Sequence, residues 1–250
     1  MRQMVIRLSC AAAVATGVAG AQPSTQWPIH STDRPQPAVV DPGAGALPVP
    51  PPRDATVLFG GTDLAKWVNS EGNPPGWIVR DGYFEVRPGA GNLMTRGSFG
   101  DVQLHVEWSS PSPAKGDGQD RGNSGVYLMS RYEVQVLDSY ANVTYPDGQA
   151  GSIYGQFPPL VNASRPPGAW QSYDILFRGP RFDSSGTLLR PATMTVLHNG
   201  VLVQDHVTLS GPTGHYARPP YEAHPEKLPI LLQDHAHPVR YRNIWLRELP

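Results

Sequence analysis

Proline and glycine interrupt this chain so often that no long helix can be laid along it. Of 250 residues, 28 are proline and 26 glycine, well above ordinary usage. An interior proline removes a helical hydrogen bond, and glycine weakens the interior of a helix or strand. Between these breaks lie short runs with a period of two, the mark of strands whose side chains alternate between two faces. Segments 77–86, 102–108, 125–129, 132–137, 170–177, 192–197, 201–204, 229–233 and 241–247 carry that pattern. Asp81-Gly82 and Asn199-Gly200 stand where tight hairpin turns need positive φ. No segment shows a helical stripe. The pattern predicts an all-β fold, a sandwich of two antiparallel sheets.

The N-terminal part is organised differently. Arg2 and Arg7 precede a short apolar stretch at 11–18, and Ala19-Gly20-Ala21 fits a small-residue cleavage site. Residues 1–21 therefore read as a secretory signal peptide, and export to the periplasm or the medium is expected. No run approaches the roughly 18 apolar residues of a membrane span. Cys10, the single cysteine, lies inside that leader, so the mature chain is expected to have no disulfide and no thiolate chemistry. Residues 22–53 form a proline-rich arm, a tether whose Trp27, Ile29, Val39 and Val40 could anchor it on a domain surface. Residues 54–250 suit one sandwich domain. Lys plus Arg number 20 and Asp plus Glu 21, for a net charge of −1. Without a basic run, that balance argues against a nucleic-acid partner.

Motifs for a serine nucleophile elbow, a phosphate loop, a dinucleotide site or a zinc protease are absent. Four constellations carry the chemical possibilities. In Tyr132-Glu-Val-Gln-Val-Leu-Asp138, Glu133 and Gln135 share one strand face. Asp138 falls on the other face unless a bulge turns it. The plainer reading of Glu133 is a solvated strand residue. In Arg121-Gly-Asn-Ser-Gly-Val-Tyr127, the glycines allow close backbone approach to a ligand, and Arg121 and Asn123 could bind sugar hydroxyls. An ordinary turn is an equal reading. In Gly151-Ser-Ile-Tyr-Gly-Gln156, Tyr154 and Gln156 project together. The loop before it offers Asn142, Asp147 and carbonyl oxygens, a donor set compatible with calcium or another divalent metal, but without a calcium-loop spacing. In Leu232-Gln-Asp-His-Ala-His-Pro238, Gln233 and His235 share a face. His235 could serve as a base near neutral pH, or pair with His237 on a metal for which no third ligand is evident. His105, His198, His206, His215 and His224 take structural or surface roles by default.

Together these motifs resemble a known family. The stretch from Asp54-Ala-Thr-Val-Leu-Phe to Trp67 is similar to its opening signature, with Gly60 where aspartate is usual. The four constellations above, with Trp170-Gln-Ser-Tyr-Asp174 and Arg242-Asn-Ile-Trp245, complete the match across 54–250. The family is that of the 3-keto-disaccharide hydrolases, also described as 3-keto-glucoside 1,2-lyases and 3-keto-2-hydroxy-glucal hydratases. The resemblance implies a concanavalin-A-like jelly roll. It also implies a small-molecule sugar substrate already oxidised at C3.

Such a reaction makes physical sense. A C3 ketone acidifies the C2 proton, because the carbanion is held as an enolate. The C1 oxygen then leaves, and water adds back to the enone. The site needs a base, donors for the enolate oxygen and an acid for the leaving group. It requires no cofactor and no paired carboxylates. On this reading His235 is the base, with Glu133 the competing candidate. Arg121, Tyr154 and Gln156 stabilise the enolate or orient the sugar. Asn123, Gln135, Gln233 and Asp138 bind substrate, and Trp170 stacks on a sugar ring. Two other readings stand beside it. One is a carbohydrate-binding module without turnover. The other is a conventional retaining glucanase using Glu133 and Asp138, whose carboxyls would have to lie about 5–5.5 Å apart.

Overall fold

A computed structural model describes residues 27–250. The expected leader at 1–21, with Cys10, lies outside the described residues. The chain forms two antiparallel sheets packed face to face. The larger holds eight strands, among them Val102–Ser109, Gln171–Arg178 and Arg240–Glu248 at its centre. The smaller runs in the order Trp67–Asn69, Leu93–Thr95, Leu231–Leu232, Ser124–Leu128 and Tyr132–Val136. The expected all-β sandwich is therefore the observed architecture. Both expected hairpin turns are present, with positive φ at Asp81, Gly82, Asn199 and Gly200.

Alternation within the strands makes the core. Val126, Val134 and Val136 of the small sheet face inward, and so do Leu104, Val106, Ile175, Phe177 and Leu246 of the large one. All lie in one buried apolar cluster, where removal of apolar area from water is the main driving force. Buried hydroxyls tie the layers together. Tyr173 donates to the Gln135 carbonyl at 2.7 Å, and Tyr241 donates to Ser124 Oγ at 2.7 Å. Inward Tyr and Ser side chains are thereby satisfied, as buried polar groups must be.

That arrangement leaves the opposite face of the small sheet to Gly125, Tyr127, Glu133 and Gln135. The register pairs Gly125 with Gln135 and Tyr127 with Glu133 across adjacent strands. Segment 149–157 covers the sheet edge: Gln135 donates to the Ser152 carbonyl, and Gly151 donates to the Gln135 carbonyl, both at 3.0 Å. The proline-rich arm lies along the domain. Ala38–Val39 pairs in parallel with Val161–Asn162. Farther on, the Val49 N–H donates to Glu107 Oε1 at 2.9 Å, and Asn243 Nδ2 donates to the Val49 carbonyl at 2.7 Å. Among the described residues, no helix is long and apolar enough to cross a membrane.

Candidate functional site

A cavity of about 430 Å³ opens on the outer face of the small sheet. Its floor is Tyr127, Glu133 and Gln135, with Asn123 and Gln119 on one side and Gln233 and His235 on another. Tyr145, Tyr154, Thr213, His215 and Tyr216 form the remaining walls. Strand alternation explains the floor. Tyr127 and Glu133 are cross-strand partners, and side chains two apart share a face.

Glu133 is the single acid in this lining. It is 3% exposed, and burial pushes its carboxyl up to about 8, with a hydrogen bond from Tyr127 acting the other way. Desolvation penalises the charged form of a carboxyl. Gly125 is what makes room for it. A Cβ at 125 would stand 2.5 Å from Glu133 Oε1 and 2.7 Å from Tyr127 Cε2. The backbone of Glu133 is fixed by its N–H, which donates to Thr213 Oγ1 at 3.0 Å. One terminal atom of the Gln135 amide lies 3.0 Å from both Glu133 Oε1 and the Ser124 carbonyl, and with nitrogen there the amide donates to both. Gln233 Nε2 reaches the Tyr127 hydroxyl at 3.4 Å.

The tyrosines are neutral donors. Burial raises the phenols of Tyr127, Tyr145 and Tyr154 above their ordinary range. The Tyr145 and Tyr154 hydroxyls are 2.7 Å apart. His215 stacks on Tyr216 with centroids 3.9 Å apart, and burial lowers its affinity for a proton, reinforced by the charges of His30 and His235. His235 itself is exposed at the rim.

Of the ten residues singled out from the sequence, Glu133, Tyr154, His235, Asn123, Gln135 and Gln233 converge here. Four do not. Arg121 Nε donates to Asp138 Oδ2 at 2.8 Å, and both line a separate cavity of about 360 Å³ with Arg80, Glu85, His237 and Arg240. The strand ends at Val136, and the Asp138 N–H donates to the Arg121 carbonyl, so no bulge turns Asp138 toward Glu133. Gln156 is a staple: its Nε2 donates to the Gly211 carbonyl, and its Oε1 accepts from Ser210 N–H and Oγ–H. Trp170 lies beneath the Arg242 guanidinium, 4.1 Å from the ring centre.

Sequence reasoning missed Gln119, Tyr127, Tyr145, Thr213, His215 and Tyr216. Tyr127 is legible in the sequence, because it closes the Arg121–Tyr127 motif and alternates with Gly125. The loop residues had no periodic pattern to mark them. Among the described residues, no group of three or more His, Asp or Glu side chains is arranged to hold a metal ion. The polar loop proposed for calcium is engaged internally. Asn142 Nδ2 donates to the Asp138 and Gly118 carbonyls, and Asp147 accepts from His30.

A two-sheet sandwich with an amide- and phenol-lined cavity suits a carbohydrate-active protein, and the similar proteins support that class. The profile of the 3-keto-alpha-glucoside-1,2-lyase-like domain matches residues 54–247, and the chain belongs to that family. A crystal structure from Parabacteroides distasonis ATCC 8503, described as a candidate glycosyl hydrolase, is 43% identical with a TM-score of 0.77. That match covers 83% of this chain and 95% of the other. A second structure from the same organism, described in the same way, is 20% identical with a TM-score of 0.56, covering 78% of this chain and 99% of the other. It shares the fold. A search of curated proteins returned no match.

Proposed function

We propose that this protein cleaves 3-keto-glycosides by elimination and rehydration, with Glu133 as the base. The observation that carries this reading is one buried carboxyl, shifted to about 8, in a cavity lined by no second acid. An ordinary glycosidase flanks the scissile bond with two carboxyls. Glu133 and Asp138 line different cavities, which removes support for the glucanase reading. A desolvated carboxylate is a strong enough base to take a proton next to a ketone.

In the proposed sequence, Glu133 removes the C2 proton and the electrons move to the C3 oxygen. Tyr127, Tyr154 and Gln233 are the donors suited to that enolate. The enolate collapses, the C1–O bond breaks, and the leaving oxygen takes a proton from His235 at the rim. Water then adds to C1 and gives its spare proton to His235, which restores the acid, and protonated Glu133 returns its proton to C2. His235, the first choice of base from sequence, becomes the acid because it is exposed where an aglycone would leave. Gln135 and Asn123 bind hydroxyls. The basic residues 2 and 7 and the small-residue site at 19–21 support export.

The test is turnover of a 3-keto-glucoside beside its unoxidised parent. Cleavage of the keto sugar alone is expected, with a bell-shaped dependence of kcat/KM on pH, because Glu133 must be ionised and His235 protonated together. Glu133→Gln should lose roughly 10²–10⁴-fold. Equal cleavage of the unoxidised parent, or a fully active Glu133→Gln, would sink the proposal. Binding of both sugars without turnover would point to a carbohydrate-binding module.

A further inference from the structure

We propose that the N-terminal arm is a working part of this site, with His30 as a positioning residue that clamps two of its walls together. The arm lies outside the family domain, which begins at residue 54. Its His30 side chain is nevertheless only 8% exposed. The His30 backbone N–H donates to Asp147 Oδ2 at 3.1 Å, and Nδ1 lies 3.3 Å from Asp147 Oδ1. On the other side of the ring, Nε2 lies 2.5 Å from the His215 carbonyl. Both ring nitrogens thus face acceptors, and both bonds form together only when the ring carries two protons.

These two partners belong to different walls. Asp147 precedes the turn that carries Tyr154, and its carbonyl accepts from the Gly155 N–H at 2.9 Å. His215 belongs to the loop that carries Thr213, the residue that holds the Glu133 backbone. The His30 ring also packs on Tyr145 with centroids 4.0 Å apart, and Tyr145 holds the Tyr154 hydroxyl. Gly155 has φ +70°, a conformation that favours glycine, and the arm packs beside it, Ile29 and His30 lying at ordinary contact distance from where a Cβ would stand. His30 therefore touches neither Glu133 nor the floor, yet it fixes the donor on one side and the loop on the other. Small displacements of such groups carry large costs in rate.

The inference rests on the reading of this cavity as the sugar site. The experiment compares the mature protein with His30→Ala, His30→Gln, Asp147→Asn and the double variant His30→Ala/Asp147→Asn, each checked by thermal melting. His30→Ala should lower kcat/KM on a 3-keto-glucoside roughly 10–100-fold, mainly through KM, with the fold intact. His30→Gln, which keeps one donor, should fall between. The double variant should be no worse than the more damaged single one, because both substitutions break one contact. Wild-type kcat/KM in His30→Ala, or fully additive losses, would overturn the clamp. If the wild type turns over no 3-keto-glucoside, the proposed reaction has failed. Calorimetric titration of the same proteins with methyl glucoside then decides the clamp: weaker binding by His30→Ala supports it, and equal binding, or none by either, overturns it.

Discussion

At the level of single residues, the site turns on the exchange of one side chain for none. Gly125 has ordinary extended φ, so its value lies in the missing Cβ rather than in backbone freedom. The atoms a Cβ would meet are the ends of the Glu133 and Tyr127 side chains, which can swing away. Gly125→Ala is therefore expected to fold normally and to displace the carboxyl. Its kcat/KM should drop roughly 10²-fold, with a melting temperature near wild type. Unchanged kinetics would show that the carboxyl position does not matter. From sequence, Gly125 suggests close approach of a ligand. In the fold it makes room for the acid, and only the register of the neighbouring strand reveals this. Glu133 and Gln135 are legible as a shared face, but the 3% exposure that perturbs Glu133 depends on loops far away in the chain.

Among the elements, the arm and the large sheet are joined through Glu107. This fully buried carboxylate accepts from Arg242 Nε at 2.7 Å, Asn243 Nδ2 at 2.7 Å and the Val49 N–H at 2.9 Å, with His105 Nε2 at 3.5 Å. Burial works against its charge, but these partners overcome it and hold the carboxyl down at about 2. Glu107→Ala leaves the Arg242 guanidinium without its carboxylate and the His105 ring held by Asp174 alone. The expected cost is about 3 kcal/mol, with faster hydrogen exchange around Val49. A melting curve and exchange protection like those of the wild type would show that the arm is held elsewhere. The alternating pattern at 102–108 predicts the strand, and the strand is found at Val102–Ser109. It does not predict that Glu107, on the face expected to be solvated, is covered by a proline-rich arm.

For the whole molecule, the burial of Glu133 sets a dependence of stability on pH. Its folded value of about 8 lies above the ordinary 4.5. Between those values the folded state binds more protons than the unfolded, so stability falls as pH rises. The contribution is full below about pH 4.5 and gone above about pH 8. Glu133→Gln has no such charge to bury. Its melting temperature should gain on wild type from about pH 5 to about pH 9, by the equivalent of a few kcal/mol at most. Parallel curves for the two proteins would contradict the shifted carboxyl. Comparing the pair cancels His105, Glu107 and His198, whose values are also displaced.

Local pattern alone determines the sandwich here, because the period of two, the Asp81-Gly82 and Asn199-Gly200 turns and the absence of helical stripes are properties of near neighbours. Alternation also puts Glu133 and Gln135 of the cavity on one face, while Asn123, Tyr154, Gln233 and His235, which lie outside the strands, are marked only by their motifs. It does not reach strands as short as Trp67–Asn69 and Leu93–Thr95, where three residues carry too little periodicity to be read. Nor does it separate Asp138 and Arg121 from Glu133, send Gln156 into a staple or place Arg242 over Trp170. Those outcomes depend on how loops and neighbouring strands pack on both sheets. Desolvation, pairing of charges and contacts between residues more than a hundred positions apart, such as His30 and Asp147, exist only once the chain has closed on itself.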